Sequence, residues 1–215
     1  MNSRTILRPA QRMFQRSVYV QSRLGIRKDP AQVLAVHSGH KYEPSEQNLL
    51  HLKTFLLEKY AIPDDMALQV LTHKSFAHGM KPYNEKLSVM GSKLANLFLG
   101  KYVLEKDTQN ATAVGGKNLD VLGTPMAKEL GGRMALGVFA KKTALNLVMF
   151  WKSYNHLLSF EESGELKVSA QMMYAMVGAV AFVHGKRAAE AFLREKLLQG
   201  SNSIEAIAAE FLELQ

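Results

Sequence analysis

Apolar residues from position 45 onward recur every three or four positions, the spacing of amphipathic helices, and no sustained alternation predicts a strand. Ser45 is placed to cap a first helix and Pro63 to open a second. A longer helix is predicted from about Leu87 to Tyr102. The other predicted helices begin at Thr124-Pro125 and end at Gly131-Gly132, or cover residues 143–158, 169–183, 188–198 and 204–214. The predicted fold class is all-α.

Charge divides the 215-residue chain into two unequal parts. Residues 1–28 contain six arginines, Lys28 and no acid, so they carry +7 of the net charge of +8 and leave +1 for the rest. Arg4, Arg8, Arg12 and Arg16 recur every four positions and share one helical face. An arginine-rich, acid-free amphipathic start is typical of a mitochondrial presequence. The alternative is a basic tail that binds RNA electrostatically.

The pattern also predicts how the remaining chain is organised. Residues 29–44 are interpreted as a linker, residues 45–200 as one helical domain, and residues 201–215 as a C-terminal helix. The longest apolar run, Met172 to Val183, is shorter than the ~20 residues that a bilayer span requires. We therefore expect a buried core helix there and no membrane span.

Several kinds of chemistry find no support in the sequence. The absence of cysteine excludes disulfides, thiol catalysis and cysteine-based zinc sites. The spacing of His37, His40 and His51 matches no usual zinc pattern. Gly115-Gly116-Lys117 lacks the spacing of a phosphate-binding loop and is interpreted as a flexible loop. No cofactor is predicted.

Two separated motifs carry a family resemblance. Residues 71–77 read LTHKSFA and residues 84–92 read NEKLSVMGS; residues 175–180 read AMVGAV and precede a helix over residues 185–192. The first pair resembles the pattern L-T-H-x-S-[YF]-A and N-E-R-L-E-F-L-G-D of the ribonuclease III family, and the later segment resembles its D-x-x-E-A-L-I-G-A-V. The resemblance covers roughly residues 45–200 and implies a ribonuclease III-like helical domain.

The departures from this pattern concern its acidic positions. The resemblance implies that four family carboxylates correspond to Ser88, Ser92, Gln171 and Tyr174, none of which is acidic. Glu85 remains, at a position that is auxiliary in the family. Mg²⁺ binds proteins through carboxylates, and metal-dependent phosphodiester hydrolysis needs such ions. We therefore expect no catalytic residue, no metal ligand and no nuclease activity.

Basic residues form three groups that could contact phosphates. They are Lys81, Lys86 and Lys93; Lys141, Lys142 and Lys152; and Lys186, Arg187, Arg194 and Lys196. An ordinary solvated helix face is the equally weighted alternative.

The resemblance finally implies partners and a function. A degenerate nuclease domain behind an import signal is similar to the ribonuclease III-like constituents of the fungal mitochondrial large ribosomal subunit. It implies a structural protein of the mitochondrial matrix that braces ribosomal RNA among mitochondrial ribosomal proteins, with a second ribonuclease III-like subunit as a dimer partner. The alternatives are the inert subunit of a heterodimeric double-stranded-RNA endonuclease and an RNA-processing scaffold.

Overall fold

A computed structural model describes residues 41–105, 111–153, 155 and 157–213. Within these residues the chain forms eight α-helices and no sheet, so the predicted all-α class is confirmed. The predicted presequence, most of the predicted linker, and His37 and His40 lie outside the described residues. The helices are α1 (Glu46–Leu56), α2 (Asp64–Leu71), α3 (Glu85–Val103), α4 (Pro125–Leu130), α5 (Arg133–Lys142), α6 (Glu165–His184), α7 (Lys186–Phe192) and α8 (Ile204–Glu213).

Helix α6 is the centre of the fold. It packs against α3 on one side and α5 on another, and α2 and α7 also contact it. Its side chains are apolar around most of the circumference, from Leu166 to Val180, which is typical of a helix buried on all sides. Contrary to the sequence expectation, this helix is long and apolar enough to cross a membrane by length and composition. Because 72% of its most apolar window is buried inside the protein, a core helix explains that composition.

The crossing of α3 and α6 depends on two glycines. A Cβ added at Gly91 of α3 would collide with the backbone carbonyl oxygen of Tyr174 on α6. A Cβ added at Gly178 would collide in turn with the carbonyl oxygen of Leu87. The two backbones therefore touch, and this contact fixes which side chains of α3 and α6 face each other.

The helix predicted over residues 143–158 is wrong. Helix α5 ends at Lys142, Ala144 adopts a left-handed conformation with φ of 56°, and a short 3₁₀ turn covers Leu145–Val148. Phe150 is then extended, because its N–H donates to the carbonyl oxygen of Leu71 and its own carbonyl accepts from the N–H of His73, each at 2.9 Å. Long-range backbone pairing thus takes precedence over the local apolar spacing. Helix α5 itself was not predicted.

The other predicted helices are present with shifted ends. Thr124 caps α4, since its Oγ accepts a hydrogen bond from the N–H of Ala127 at 3.2 Å, and Gly131 ends that helix as predicted. Ser45 precedes α1 but its side chain makes no cap hydrogen bond. Helix α6 begins at Glu165, four residues before the predicted start, and α7 continues into a π-helical turn over Leu193–Leu197.

Candidate functional site

The loop between α2 and α3 is held by buried polar side chains. Thr72 is fully buried and its Oγ donates to the carbonyl oxygen of Leu68 at 2.6 Å. The N–H of Asn84 donates to the carbonyl oxygen of Thr72, and its Nδ2 donates to that of Val70, both at 2.9 Å. These bonds fix the position at which α3 begins relative to α2.

His73 follows the C-cap of α2, and its hydrogen bonds define its tautomer. The N–H of Ser75 donates to its Nδ1 at 3.2 Å, and the Ser75 hydroxyl lies 2.9 Å from the same atom. Because that hydroxyl oxygen also accepts the N–H of Lys152, its proton is available for Nδ1. Burial first, and then the positive charge of Lys74, lower the pKa of His73. A neutral ring with its proton on Nε2 follows.

Helices α3 and α6 border a cleft of about 480 Å³. Ser88 and Ser92 line it from α3, and Gln171 and Tyr174 line it from α6. The structure thus brings together the four positions that the motifs single out, although the pair on α3 and the pair on α6 lie about 80 residues apart in sequence. Glu85, His73 and Val89 also line this cleft.

The two α6 residues of the cleft are bound to the surrounding fold. Gln171 Nε2 donates to Asn84 Oδ1 at 3.0 Å, so this amide joins α6 to the start of α3. The Tyr174 hydroxyl donates to the carbonyl oxygen of Gly131 at 2.5 Å, and the side chain is buried. Burial raises the pKa of Tyr174, which keeps its phenol neutral. Both side chains act as structural hydrogen-bond donors.

A divalent metal, which the resemblance would imply for this cleft, does not fit the donors present. Glu85 is the one carboxylate of the lining, and its Oε1 lies 2.9 Å from Lys74 Nζ in an ion pair. Throughout the described part of the chain, no group of three or more His, Asp and Glu side chains could hold a metal ion. Neutral hydroxyl, amide and phenol groups offset none of the charge of Mg²⁺.

Two cationic residues of the cleft were missed in the sequence. Arg133 is the first residue of α5, and Lys167 lies in the first turn of α6; both line the cleft and both are exposed. Lys167 stands four and seven positions before Gln171 and Tyr174, so helical spacing alone could have placed it on their face. No local signal indicates Arg133, because its place depends on the packing of α5 against α6.

The three basic groups differ in how far the chain itself engages them. Six members pair with acids or lie over rings, five of them as follows: Lys142 with Glu210, Lys186 with Glu190, Arg194 with Glu105, Lys141 over Phe160, and Lys81 over Tyr42. Lys196 lies over the ring of Phe55 as well. These internal contacts favour the solvated-face interpretation for part of each group.

Two further candidates from the sequence, His51 and the segment Gly115-Gly116-Lys117, make hydrogen bonds within the fold. The ring Nε2 of His51 lies 2.9 Å from the carbonyl oxygen of Thr143, on the surface. Gly115 and Gly116 both have positive φ in a tight turn closed by reciprocal hydrogen bonds between Val114 and Lys117. The two glycines thus lie in a turn, and the flexibility of this loop stays a prediction.

Comparison with known proteins identifies the class. The sequence model described as ribonuclease-III-like matches residues 63–201, which is more than half of the chain. This chain therefore belongs to the ribonuclease-III-like family. The nuclease domain of ribonuclease III from Campylobacter jejuni, whose structure was described for flexibility in a region involved in dimer formation, matches with a TM-score of 0.51. That match covers 70% of this chain and 94% of the other at 19% identity, so it supports the fold alone.

A particular relative is also similar in sequence. The large ribosomal subunit protein mL57 of Neurospora crassa is 26% identical over 140 residues. The match covers 60% of this chain and 52% of the relative, so the chain spans about half the length of that protein.

Proposed function

We propose that this protein is a non-catalytic, RNA-binding constituent of the mitochondrial large ribosomal subunit, in which a ribonuclease III-like domain braces ribosomal RNA. The observation that carries the proposal is the composition of the α3–α6 cleft. Ser88, Ser92, Gln171 and Tyr174 occupy the positions that we assign to the family carboxylates, and Glu85 is neutralised by Lys74. A cleft without free anionic ligands cannot hold the divalent ions that hydrolyse phosphodiesters.

The bonds of the cleft further support the loss of catalysis. Tyr174 is buried and bonded to Gly131, so its ring fills space beside α3 that a hydrated metal would need. Gln171 is committed to Asn84. These side chains stabilise the junction of α3, α4 and α6 and are not free to bind an ion.

The ribosomal assignment is supported by the likeness to protein mL57 of the large ribosomal subunit. The acid-free, arginine-rich residues 1–28 support import into the mitochondrion, with the matrix as the destination. We also propose a second ribonuclease III-like subunit as the dimer partner, in addition to ribosomal RNA and other mitochondrial ribosomal proteins.

Sedimentation of mitochondrial extract tests the ribosomal assignment. On a sucrose gradient at high salt, the protein is expected to cofractionate with the large ribosomal subunit, because a structural constituent is held by many contacts. Mass spectrometry of the proteins that copurify with it identifies the dimer partner. Recovery of the protein only in light fractions would contradict the assignment and would favour an RNA-processing scaffold or the inert half of a nuclease.

A cleavage assay tests the absence of catalysis. Purified protein is expected to leave double-stranded RNA intact in the presence of Mg²⁺ or Mn²⁺. The fourfold variant Ser88→Glu, Ser92→Asp, Gln171→Asp and Tyr174→Glu restores the assigned carboxylates, and calorimetry is expected to detect metal binding only in that variant. Chelator-sensitive cleavage by the unaltered protein would refute the proposal.

A further inference from the structure

The cleft between α3 and α6 contains two cations that no acidic side chain neutralises. Arg133 enters it from the start of α5 and Lys167 from the start of α6. Both side chains belong to exposed residues, and neither takes part in an ion pair within the part of the chain that the structure describes. Their charges are therefore available to a ligand.

Nearby carboxylates are engaged elsewhere. Glu85, on the α3 side, forms the ion pair with Lys74 at 2.9 Å. Glu165 accepts a hydrogen bond from Asn146 Nδ2 at 2.7 Å and does not line the cleft. The carboxylate of Glu129 lies beside Gly132 but forms no described ion pair with Arg133. The cleft thus carries a formal excess of positive charge.

Neutral polar residues line the cleft together with the two cations. They are His73, Ser88 and Ser92; no described hydrogen bond occupies the Ser88 hydroxyl, whereas the Ser92 hydroxyl donates to the carbonyl oxygen of Val89. The planar guanidinium of an arginine matches the oxygens of a phosphate, and a lysine adds a compact charge with three donors. This combination complements a phosphate group and opposes a divalent cation.

We propose that this cleft binds a backbone phosphate of RNA directly, with Arg133 and Lys167 as its cationic ligands and no bridging metal. The inference rests on the proposed RNA-binding function and deepens it by naming a site. The family geometry brings α3 and α6 together, and this chain uses the resulting space with the opposite sign of charge. Binding of this kind needs no Mg²⁺ and weakens as salt rises.

Paired variants of the full chain test this site. Arg133→Gln with Lys167→Gln removes two positive charges from the cleft, and Lys101→Gln with Lys128→Gln removes two from exposed positions elsewhere. Binding of a short RNA duplex is measured by fluorescence anisotropy between about 50 and 200 mM salt, with chelator present. The cleft variant is expected to bind about a hundredfold more weakly, since it loses two charge-assisted bonds that contribute roughly tenfold each. Its slope of log affinity against log salt is expected to be smaller by about two.

The control variant separates site binding from general charge. It is expected to retain a larger part of the affinity and of the salt slope than the cleft variant. Equal losses in the two variants would overturn the proposal, because they would show a diffuse field in place of a site. A requirement for Mg²⁺ would overturn it too.

A second pair of variants tests the site by adding negative charges. Ser88→Glu with Ser92→Asp introduces two anions into the cleft, and Ser201→Glu with Asn202→Asp introduces two on the exposed loop before α8. Only the first pair is expected to reduce RNA binding about tenfold. Titration of the unaltered protein with inorganic phosphate is expected to shift the NMR signals of Arg133 and Lys167 first. An absence of shifts there, or tighter binding of a polyglutamate peptide than of RNA, would refute phosphate recognition.

Failure of this site is distinguishable from failure of the proposed function. A cleft variant that binds RNA normally and still sediments with the large subunit would exclude the site and leave the ribosomal role in place. A protein that never sediments with the subunit would contradict the role, whatever its cleft binds.

Discussion

The same two helices meet in two different ways in this protein. Where Gly91 and Gly178 cross, α3 and α6 touch backbone to backbone, and a single added carbon would collide with a main-chain oxygen. Beside this crossing the helices separate into a cleft of about 480 Å³ lined by Ser88, Ser92 and other polar side chains. The crossing tolerates no added volume, whereas the cleft accommodates several kinds of side chain.

The difference shows that fold and chemistry depend on different residues of the same elements. The crossing determines how α3 and α6 are placed, and it is built from two glycines because the two backbones approach too closely for a Cβ. The cleft presents polar groups, and Ser88 and Ser92, which make no described side-chain hydrogen bond to another helix, can change without moving α3 and α6. The architecture of a fold can therefore be kept while the chemistry of its cleft changes.

The largest predicted effect is at the crossing. Gly91→Ala is expected to lower the free energy of unfolding by about 3 kcal/mol or more, because the new methyl group meets a backbone atom that no side-chain rotation can move. Chemical denaturation followed by circular dichroism measures the loss. The control is Gly123→Ala, where an added Cβ meets nothing within 4 Å, and its stability is expected to be unchanged or slightly higher. Equal stability of the two variants would mean that the helices can separate at the crossing.

Much of this fold could be predicted from local pattern. The apolar spacing predicted α3 and α6, and the Thr124-Pro125 cap and Gly131 predicted both ends of α4. The helix prediction for residues 143–158 was wrong. Their apolar spacing is that of a helix, but the backbone of Phe150 pairs with the distant residues Leu71 and His73. Pairing across about 80 residues leaves no mark in a local window.

The lining of the cleft was predicted only in part, again because some of its residues are placed by long-range packing. The resemblance to the family motifs identified the four polar positions of the cleft, and helical spacing puts the members on each helix on one face. Lys167 shares that spacing on α6 but lies outside the motif, and Arg133 comes from a helix that the sequence analysis did not predict. The absence of negative ligands could be inferred from the sequence, whereas the positive lining required the packing of a third helix.

A moderate effect is predicted at the border between crossing and cleft. Tyr174→Phe removes the hydroxyl that donates to the carbonyl oxygen of Gly131 at 2.5 Å and leaves that oxygen with one partner fewer. The expected loss of stability is about 1 kcal/mol, the typical net contribution of one hydrogen bond. Denaturation of the matched variant Tyr83→Phe provides the control, since no described hydrogen bond involves the Tyr83 hydroxyl. If neither variant lost stability, the hydroxyl of Tyr174 would contribute no stabilising hydrogen bond, and the side chain would act through packing alone.

A smaller effect concerns pH. Burial lowers the pKa of His73, so the folded protein binds a proton less readily there than the unfolded chain does. The stabilisation is complete above the ordinary histidine pKa of about 6.5 and is lost as the pH falls below it. The stability difference between the unaltered protein and His73→Asn is therefore expected to shrink between neutral and mildly acidic pH. Urea denaturation at a series of pH values measures it, and a difference independent of pH would contradict a buried neutral ring.

The smallest effect is predicted for the serines of the cleft. Ser92 Oγ donates only to the carbonyl oxygen of Val89 within its own helix, and no described hydrogen bond involves the Ser88 hydroxyl. Alanine has the higher helix propensity, so Ser88→Ala with Ser92→Ala is expected to change stability by no more than about 0.5 kcal/mol, toward greater stability. Thermal unfolding measures the change. A loss as large as that of Gly91→Ala would show that the cleft is part of the packed core, and the division between a rigid crossing and an interchangeable cleft would then be untenable.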